Sequence, residues 1–260
     1  MKGGIFIFTE EVAVVGNLAV NKSKMLNKRP LAYFIASMLA GMFVGIGISL
    51  TFCVGSMLNA GGFSGTKIVM GASFGIALSL VIMAGSELFT GNNFVMSVGI
   101  YQKKVSLADS IKLWVVCWIG NLVGSMLIGF LVYKSGVINP DFGEFLAKGV
   151  YGKITLPVVD LIIRGILCNM LVCLAVWCGL KMKSESGKLI MIFWCLFAFI
   201  TLGLEHSVAN MTLFTIGFLN PMSYDITILG CLYNLLFVTL GNMIGGIVLL
   251  AIPYSFIAKE

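Results

Sequence analysis

Two polar stretches interrupt an otherwise apolar sequence, and they hold the side chains best suited to chemistry. Glu87 and Thr90 lie in the first stretch, and Glu205 and His206 are neighbours in the second. His206 is the only histidine among the 260 residues. Because histidine changes charge near neutral pH, it could donate a hydrogen bond to an anion or lend the anion a proton. These residues are therefore the first functional candidates.

Each candidate also has a structural interpretation. His206 could be a core histidine whose hydrogen bonds are satisfied by the protein. Thr90 could form a hydrogen bond with a solute in a pore, or it could cap a helix locally. We expect Glu87 and Glu205 to accept hydrogen bonds from backbone N–H groups left free at helix breaks, because a carboxylate in the path of an anion would repel it. A catalytic pair of carboxylates is a more remote interpretation.

The composition indicates a membrane protein. Hydrophobic residues make up 59% of the chain and charged residues only 11%, whereas soluble domains carry about 25% charged residues. This excludes a disordered chain, a disulfide-stabilised secreted scaffold and a nucleic-acid-binding domain. A membrane-spanning helix needs about 20 consecutive apolar residues. The six apolar blocks of this chain are residues 31–58, 68–101, 113–133, 158–180, 189–218 and 226–258.

The seven cysteines predict neither a metal site nor a redox centre. All lie in apolar blocks, and no two are spaced Cys-x-x-Cys. Cys168, Cys173 and Cys178 are spaced five residues apart, so each is rotated by about 140° from the last on a helix and the three cannot converge on one ion. We expect packing residues here, with no metal and no cofactor.

Blocks two and five predict broken helices. Both exceed the roughly 20 residues that cross the hydrocarbon. Block two carries Gly91 near its centre beside polar residues, and block five carries the polar interruption 205–210. We expect two half-helices in each block, joined by a turn that lines a cavity or is buried in protein, since hydrocarbon cannot satisfy free backbone groups.

The two halves of the chain share motifs. Residues 87–92 and 205–210 both read Glu-x-x-x-x-Asn, and residues 120–124 and 241–245 both read Gly-Asn-x-x-Gly, at nearly equal offsets of 118 and 121 residues. Three spans in each half would make the halves face opposite ways across the membrane. The fold class predicted is therefore an all-α membrane protein with six transmembrane helices and an inverted 3+3 repeat, in which helices two and five are broken and the pathway lies near the midplane.

The distribution of basic residues predicts the orientation of a single channel domain covering residues 1–260. Twelve lysines and arginines lie in the N-terminal segment, the second and fourth loops and the C-terminus, against four in the other loops. By the positive-inside rule both termini lie in the cytoplasm. Residues 1–29 are predicted to be a cytoplasmic amphipathic segment rather than a signal peptide, because their apolar run is too short.

Three segments resemble the formate/nitrite transporter family. They are Gly85-Ser-Glu-Leu-Phe-Thr-Gly91, residues 164–175 (which begin Arg-Gly-Ile-Leu-Cys-Asn) and Glu205-His-Ser-Val-Ala-Asn-Met211. The similarity extends from about Pro30 to Pro253. It implies an aquaporin-like fold, a homopentamer with one pore per subunit in the cell membrane, and transport of formate, nitrite, lactate or hydrosulfide. Within the family, the sequence as a whole resembles clostridial members of the hydrosulfide channel branch.

The resemblance also implies roles for particular residues. The loop 88–91 corresponds to a mobile loop of the family, with Thr90 facing the pore centre and His206 opposite it. Lys153 corresponds to a lysine near the outer vestibule, where it would attract anions unless it is an ordinary loop lysine. The positions that match the apolar constrictions are Phe74, Leu78, Leu88, Phe89, Val172 and Phe199.

The remaining polar matches concern asparagines and carboxylates. Asn169 and Asn242 resemble residues that line the vestibules or brace the breaks. The residues expected to have structural roles at the breaks are Glu87, Glu205, Asn92 and Asn210.

The function expected is a channel or proton-linked transporter for small monovalent anions of weak acids, with a preference for hydrosulfide. The partners expected are the anion, the lipid bilayer and identical subunits, and no nucleic acid. A pore for neutral solutes such as water or glycerol is the alternative, although the Asn-Pro-Ala repeats of aquaporins are absent. A membrane-embedded enzyme is less favoured because no metal-ligand cluster and no nucleophile–base pair is visible.

Overall fold

The structure, a computed structural model, describes residues 8–258, and these residues form helices joined by short turns. The final helix is interrupted by a π-helical turn, Ile247–Ala251. The helices are α1 Thr9–Lys28, α2 Pro30–Ala60, α3 Thr66–Ser73, α4 Gly75–Met83, α5 Phe89–Tyr101, α6 Leu107–Lys134, α7 Pro140–Ile154, α8 Val158–Lys181, α9 Glu185–Thr201, α10 Ser207–Leu219, α11 Ile228–Gly246 and α12 Ile252–Ile257.

The apolar blocks of the sequence correspond to helices that could cross a membrane. By length and composition, five candidate spans are present within residues 8–258: α2, α3 with α4, α6, α8, and α11 with the π turn and α12. The fifth block forms α9 and α10, which are separated by a turn. The all-α membrane fold with broken second and fifth helices is thus confirmed.

The breaks lie a few residues earlier in the chain than the sequence predicts. Helix α4 ends at Met83 and α5 begins at Phe89, while α9 ends at Thr201 and α10 begins at Ser207. Thr90 and Gly91 are therefore helical, and the predicted break at 88–91 is wrong in position. The physical reason is a glycine in each turn: Gly85 has φ 78° and Gly203 has φ 71°, a left-handed conformation that costs glycine little.

Two of the segments outside the apolar blocks form helices. Within the described part of the N-terminal segment, α1 turns Val12, Val15 and Ala19 toward the bundle and packs against α5. The third loop contains α7, which starts with Pro140 at its first turn after the N-cap Asn139, whose side chain accepts the Phe142 N–H. Both features are favourable helix starts. We call the face with α1 and the end of α12 the terminal side, and the opposite face the α7 side.

Close helix pairs recur in the two halves. Helix α2 packs on α6, and α8 packs on α11, more extensively than any other pairs. A side chain on Gly124 of α6 would collide with the backbone of Met38, and one on Gly245 of α11 would collide with the backbone of Ile166. The Gly-Asn-x-x-Gly motif therefore lets backbones touch, as small residues do at membrane helix interfaces.

Adding one methyl group at this interface is expected to destabilise the protein. Gly124→Ala should lower the free energy of unfolding by about 1–3 kcal/mol, because the methyl meets backbone that cannot rotate away. Gly179→Ala on α8 is the matched control, since nothing lies within 4 Å of its added methyl. Thermal unfolding in detergent measures both variants. Equal midpoints for the two would contradict the packing argument.

Candidate functional site

His206 is held at the start of α10 by both ring nitrogens. Its Nδ1 accepts the Ala209 N–H at 3.1 Å, and its Nε2 lies 3.1 Å from Thr90 Oγ1. Because Nδ1 is an acceptor, the neutral ring carries its proton on Nε2 and donates it to the Thr90 hydroxyl oxygen. The hydrogen bond joins the two halves of the chain, and it places the predicted central pair in contact.

Asn121 on α6 braces the first break. Its Oδ1 accepts the Phe89 N–H at 2.9 Å, and its Nδ2 donates to the carbonyl oxygens of Ser37 at 2.7 Å and Glu87 at 2.9 Å. The amide thereby satisfies backbone groups that the end of one helix and the start of the next leave free. Asn121 is not among the predicted site residues, although the repeated Gly-Asn-x-x-Gly motif contained the signal.

Asn242 on α11 braces the second break in the same way. Its Oδ1 accepts the Ser207 N–H at 3.0 Å, and its Nδ2 donates to the carbonyl oxygens of Gly165 at 2.8 Å and Glu205 at 3.0 Å. These contacts match one of the two roles expected for Asn242, that of bracing a break. The two asparagines, not Glu87 and Glu205, accept the N–H groups that open α5 and α10, so the partners expected for the carboxylates are wrong.

Each carboxylate instead binds a lysine from an extramembrane helix. Both oxygens of Glu87 lie 2.7 Å from Lys22 Nζ of α1. The Asn92 amide donates to the same carboxylate at 2.9 Å. Nothing in the sequence around Lys22 distinguished it from the other basic residues of α1, so its partnership was missed.

The second half repeats this arrangement on the α7 side. Lys153 Nζ of α7 lies 2.7 Å from Glu205 Oε1, and the Asn210 amide donates to Glu205 Oε2 at 2.6 Å. The Asn210 amide also reaches Asn234 Oδ1 at 2.9 Å. Lys153 is therefore an ion-paired helix residue rather than a loop lysine, and its charge is largely balanced within the protein.

Removing Lys153 should destabilise the fold. Lys153→Met leaves the Glu205 carboxylate, whose side chain is 2% exposed, without its cationic partner. The loss of one partner of a buried ion pair lowers the free energy of unfolding by about 3–5 kcal/mol. The control is Lys148→Met, because Lys148 is exposed on the same helix and should change stability by at most about 0.5 kcal/mol. Glu205→Gln combined with Lys153→Met should recover stability. Thermal unfolding of the variants in detergent is the measurement, and no recovery would contradict the pairing.

Two vestibules approach the centre from opposite sides. The α7-side vestibule has a volume of about 730 Å³ and the terminal-side vestibule about 400 Å³. The break segments open onto them, since Gly85 lines the terminal-side vestibule and Gly203 the α7-side vestibule. Between them lies a central cavity of about 10 Å³, which is about the space that one water molecule needs.

Five of the six residues predicted to form constrictions line the central cavity. Phe199 also lines the α7-side vestibule, while Leu78 and Leu88 also line the terminal-side vestibule. The cavity lining consists of Val44, Phe74, Ala77, Leu78, Leu88, Val172, Leu196, Phe199 and His206. Val44, Ala77 and Leu196 were missed because their apolar side chains resemble ordinary core residues in sequence.

Three other predicted residues lie away from this lining. Phe89 and Thr90 are buried and line none of these three cavities. Asn169 Nδ2 donates to the carbonyl oxygens of Thr90 at 3.2 Å and Asn242 at 2.6 Å. Asn169 thus ties the first half of the chain to the second.

The rings of the central cavity are ordered by mutual contacts. Phe74 and Phe199 meet edge to face with centroids 5.4 Å apart, and Phe199 stacks on the His206 ring at 5.9 Å with an interplanar angle of 15°. An apolar ring therefore lies nearly parallel to the histidine ring. His206 borders both the central cavity and the α7-side vestibule, so it is the polar side chain at the inner end of that vestibule.

The α7-side vestibule carries charges of both signs. Lys67, Lys148 and Lys153 line it together with Asp141 and Glu144. Glu144 accepts a hydrogen bond from the Tyr224 hydroxyl at 2.7 Å. That bond raises the pKa of the exposed Tyr224 hydroxyl above the usual tyrosine value, so Tyr224 is a neutral donor at physiological pH. Within residues 8–258 there is no group of three or more histidine, cysteine or acidic side chains placed to hold a metal ion.

Comparisons with known proteins agree with this architecture. Residues 10–256 match the family model described as formate/nitrite transporter. The chain is 39% identical to the nitrite transporter NirC of Escherichia coli, over 96% of this chain and 92% of that protein. A solved FNT family ion channel aligns with TM-score 0.91 at 37% identity, covering 97% of this chain and 100% of the other. A pentameric formate channel with formate bound aligns with TM-score 0.78 at 25% identity, covering 90% and 99%.

Proposed function

The chain belongs to the formate/nitrite transporter family, and we propose that it forms a transmembrane channel for small monovalent anions of weak acids. The observation that carries the proposal is the central cavity of about 10 Å³, walled by apolar side chains and His206 between two open vestibules. The relatives named for nitrite and formate support this class of substrate. We propose hydrosulfide as the preferred member of the class, on the resemblance of the sequence to that branch.

The small size of the central cavity determines the protonation state in which a solute can cross. A solute that enters it must shed its hydration shell, because the space holds about one water molecule. Leaving an anion unpaired among Phe74, Leu88 and Phe199 would cost far more than leaving a neutral acid there. The substrate therefore crosses as the protonated acid, with the proton carried alongside the anion.

His206 acts in this scheme as a neutral hydrogen-bond donor. A proton on Nδ1 would remove the acceptor for the Ala209 N–H and uncap α10, so the charged ring is disfavoured by the backbone around it. The Nε2–H is the group that can turn from Thr90 toward a passing solute. Lys153 draws anions to the vestibule only weakly, since Glu205 balances its charge.

Flux measurements test the substrate class. Proteoliposomes containing the protein should pass hydrosulfide, formate and nitrite faster at the lower of two pH values, because more of each weak acid is protonated there. Chloride has no neutral acid form in this range and should be excluded. Chloride flux equal to that of the weak-acid anions would contradict passage as the acid, and swelling in glycerol alone would favour a pore for neutral solutes.

Two substitutions at His206 separate its roles. His206→Asn keeps an acceptor for the Ala209 N–H, because asparagine is a good N-cap, but it removes the Nε2–H. We expect this variant to fold normally and to lose most weak-acid flux. His206→Phe should lose the flux and also about 1 kcal/mol of stability with the cap. Wild-type flux and pH dependence in His206→Asn would contradict the donor role.

We propose that five copies assemble with both termini in the cytoplasm. The pentameric formate channel supports the assembly, and the excess of lysine and arginine on the terminal side supports the orientation. Native mass spectrometry from detergent should give a pentamer, and a reporter fused to the C-terminus should be active only in the cytoplasm. A monomer, or an externally active reporter, would contradict the respective part.

A further inference from the structure

Helix α5 carries two different faces. Gly91 and Val95 face the terminal-side vestibule. Thr90, Asn93 and Ser97, at spacings of three and four residues, share another face that spans about 60° and points roughly the opposite way, by the 100° turn per residue. We call these three residues the α5 polar face. All three are buried, although the helix lies at membrane depth.

The α5 polar face is short of hydrogen-bond partners within the protein. Both the amide nitrogen and the amide oxygen of Asn93 are buried without a protein partner, and so is the hydroxyl of Ser97. Asn93 is 0% exposed. Leaving one such polar group unpaired costs about 1–3 kcal/mol, so an asparagine with both ends unpaired requires a partner from outside the chain.

Other unpaired polar groups converge on the same place. A Cβ built on Gly246 would lie 3.2 Å from Asn93 Cβ, 2.9 Å from Asn169 Nδ2 and 3.0 Å from Cys173 Sγ, so these three side chains surround one glycine. Asn169 Oδ1 is itself buried and unpaired. Gly246 directly precedes the π-helical turn, a feature frequent at functional sites.

The cluster has a continuation toward the terminal side. Ser97 lies one turn beyond Asn93 on the same face, and its hydroxyl is buried and unpaired. Helix α5 runs from the centre to the terminal side, so the unpaired groups of Asn93 and Ser97 follow Thr90 in that direction.

We propose that the α5 polar face, with Asn169, binds a short file of water molecules inside the protein. The Asn93 amide needs both a donor and an acceptor, and Asn169 Oδ1 needs a donor. Water supplies both in the smallest volume, and buried waters commonly satisfy two to four such groups. An anion does not fit this demand, because the unpaired carbonyl oxygens of two asparagines would repel it.

The water file gives Thr90 a second hydrogen-bond donor, a role that rests on the proposed function. When the Nε2–H turns from Thr90 toward a solute, the Thr90 hydroxyl oxygen loses the donor that it has in the structure. The adjacent water of the file then donates to that oxygen. His206 keeps its proton throughout, and the hydrogen bond that it gives up at Thr90 is replaced.

Radiolytic hydroxyl-radical labelling tests the water file, because radicals formed from bound water modify the nearest side chains. The probe is Cys173, which is free and 0% exposed, with Cys168 on the same helix as the reference. Cys173 should be labelled in the wild type. Asn93→Leu should abolish the label, and the matched control Met96→Leu, at another buried position of α5, should retain it. A Cys173 that is unlabelled in the wild type, or equally labelled in Asn93→Leu, would overturn the proposal.

Two further measurements distinguish a failure of the water file from a failure of folding or of the proposed function. A wild-type structure that resolves water should show density within hydrogen-bond distance of the Asn93 amide, and an Asn93 bonded only to protein groups would overturn the file. In flux assays, Asn93→Leu should slow weak-acid transport while chloride stays excluded. Unchanged flux with the Cys173 label lost would overturn the role of the file at Thr90. If the wild type labels Cys173 but passes no weak acid, the proposed function fails and the water file stands.

Discussion

Hydrocarbon offers no hydrogen-bond partner, so every backbone group freed by a helix break at membrane depth must be satisfied by the protein. Asn121 and Asn242 meet this requirement. Each accepts the N–H that opens a half-helix and donates to the carbonyl of the glutamate before it. Without these two amides, neither break would be tolerated beside the central cavity. The positions of Thr90 and His206 depend on them.

The same constraint explains why the carboxylates are bound to lysines from outside the bundle. A glutamate at the edge of the hydrocarbon is stable when an opposite charge and further hydrogen bonds accompany it. Lys22 and Lys153 provide the charges, and Asn92 and Asn210 provide the hydrogen bonds. As a result, α1 and α7 are fastened to the break segments on opposite sides of the membrane. A movement of either outer helix would displace the lysine that lines the adjacent vestibule.

At the centre, the cavity is small and nearly uncharged. The lining is apolar except for His206, and the cavity holds about one water molecule. The histidine is tied by Ala209 on one nitrogen and Thr90 on the other, which favours its neutral form. Transport of a weak acid in its protonated state and a buried water file behind Thr90 are two proposals that share this pair, and each explains why a polar link is kept at the narrowest point.

The sequence by itself determined the membrane environment, the six apolar blocks, the two interrupted helices and the internal repeat, because hydropathy, block length and repeated motifs are local properties of the chain. It also selected His206, as the only histidine and in a polar interruption, and, through resemblance to a family, six apolar residues of which five line the central cavity. It misplaced the breaks, because only the left-handed backbone at Gly85 and Gly203 fixes where the helices end. It assigned the wrong partners to Glu87 and Glu205, and it missed Lys22, Asn121 and the unpaired face of Asn93. Those features were decided by tertiary structure alone, because a hydrogen bond or ion pair between residues 32 to 84 positions apart depends on how the helices pack.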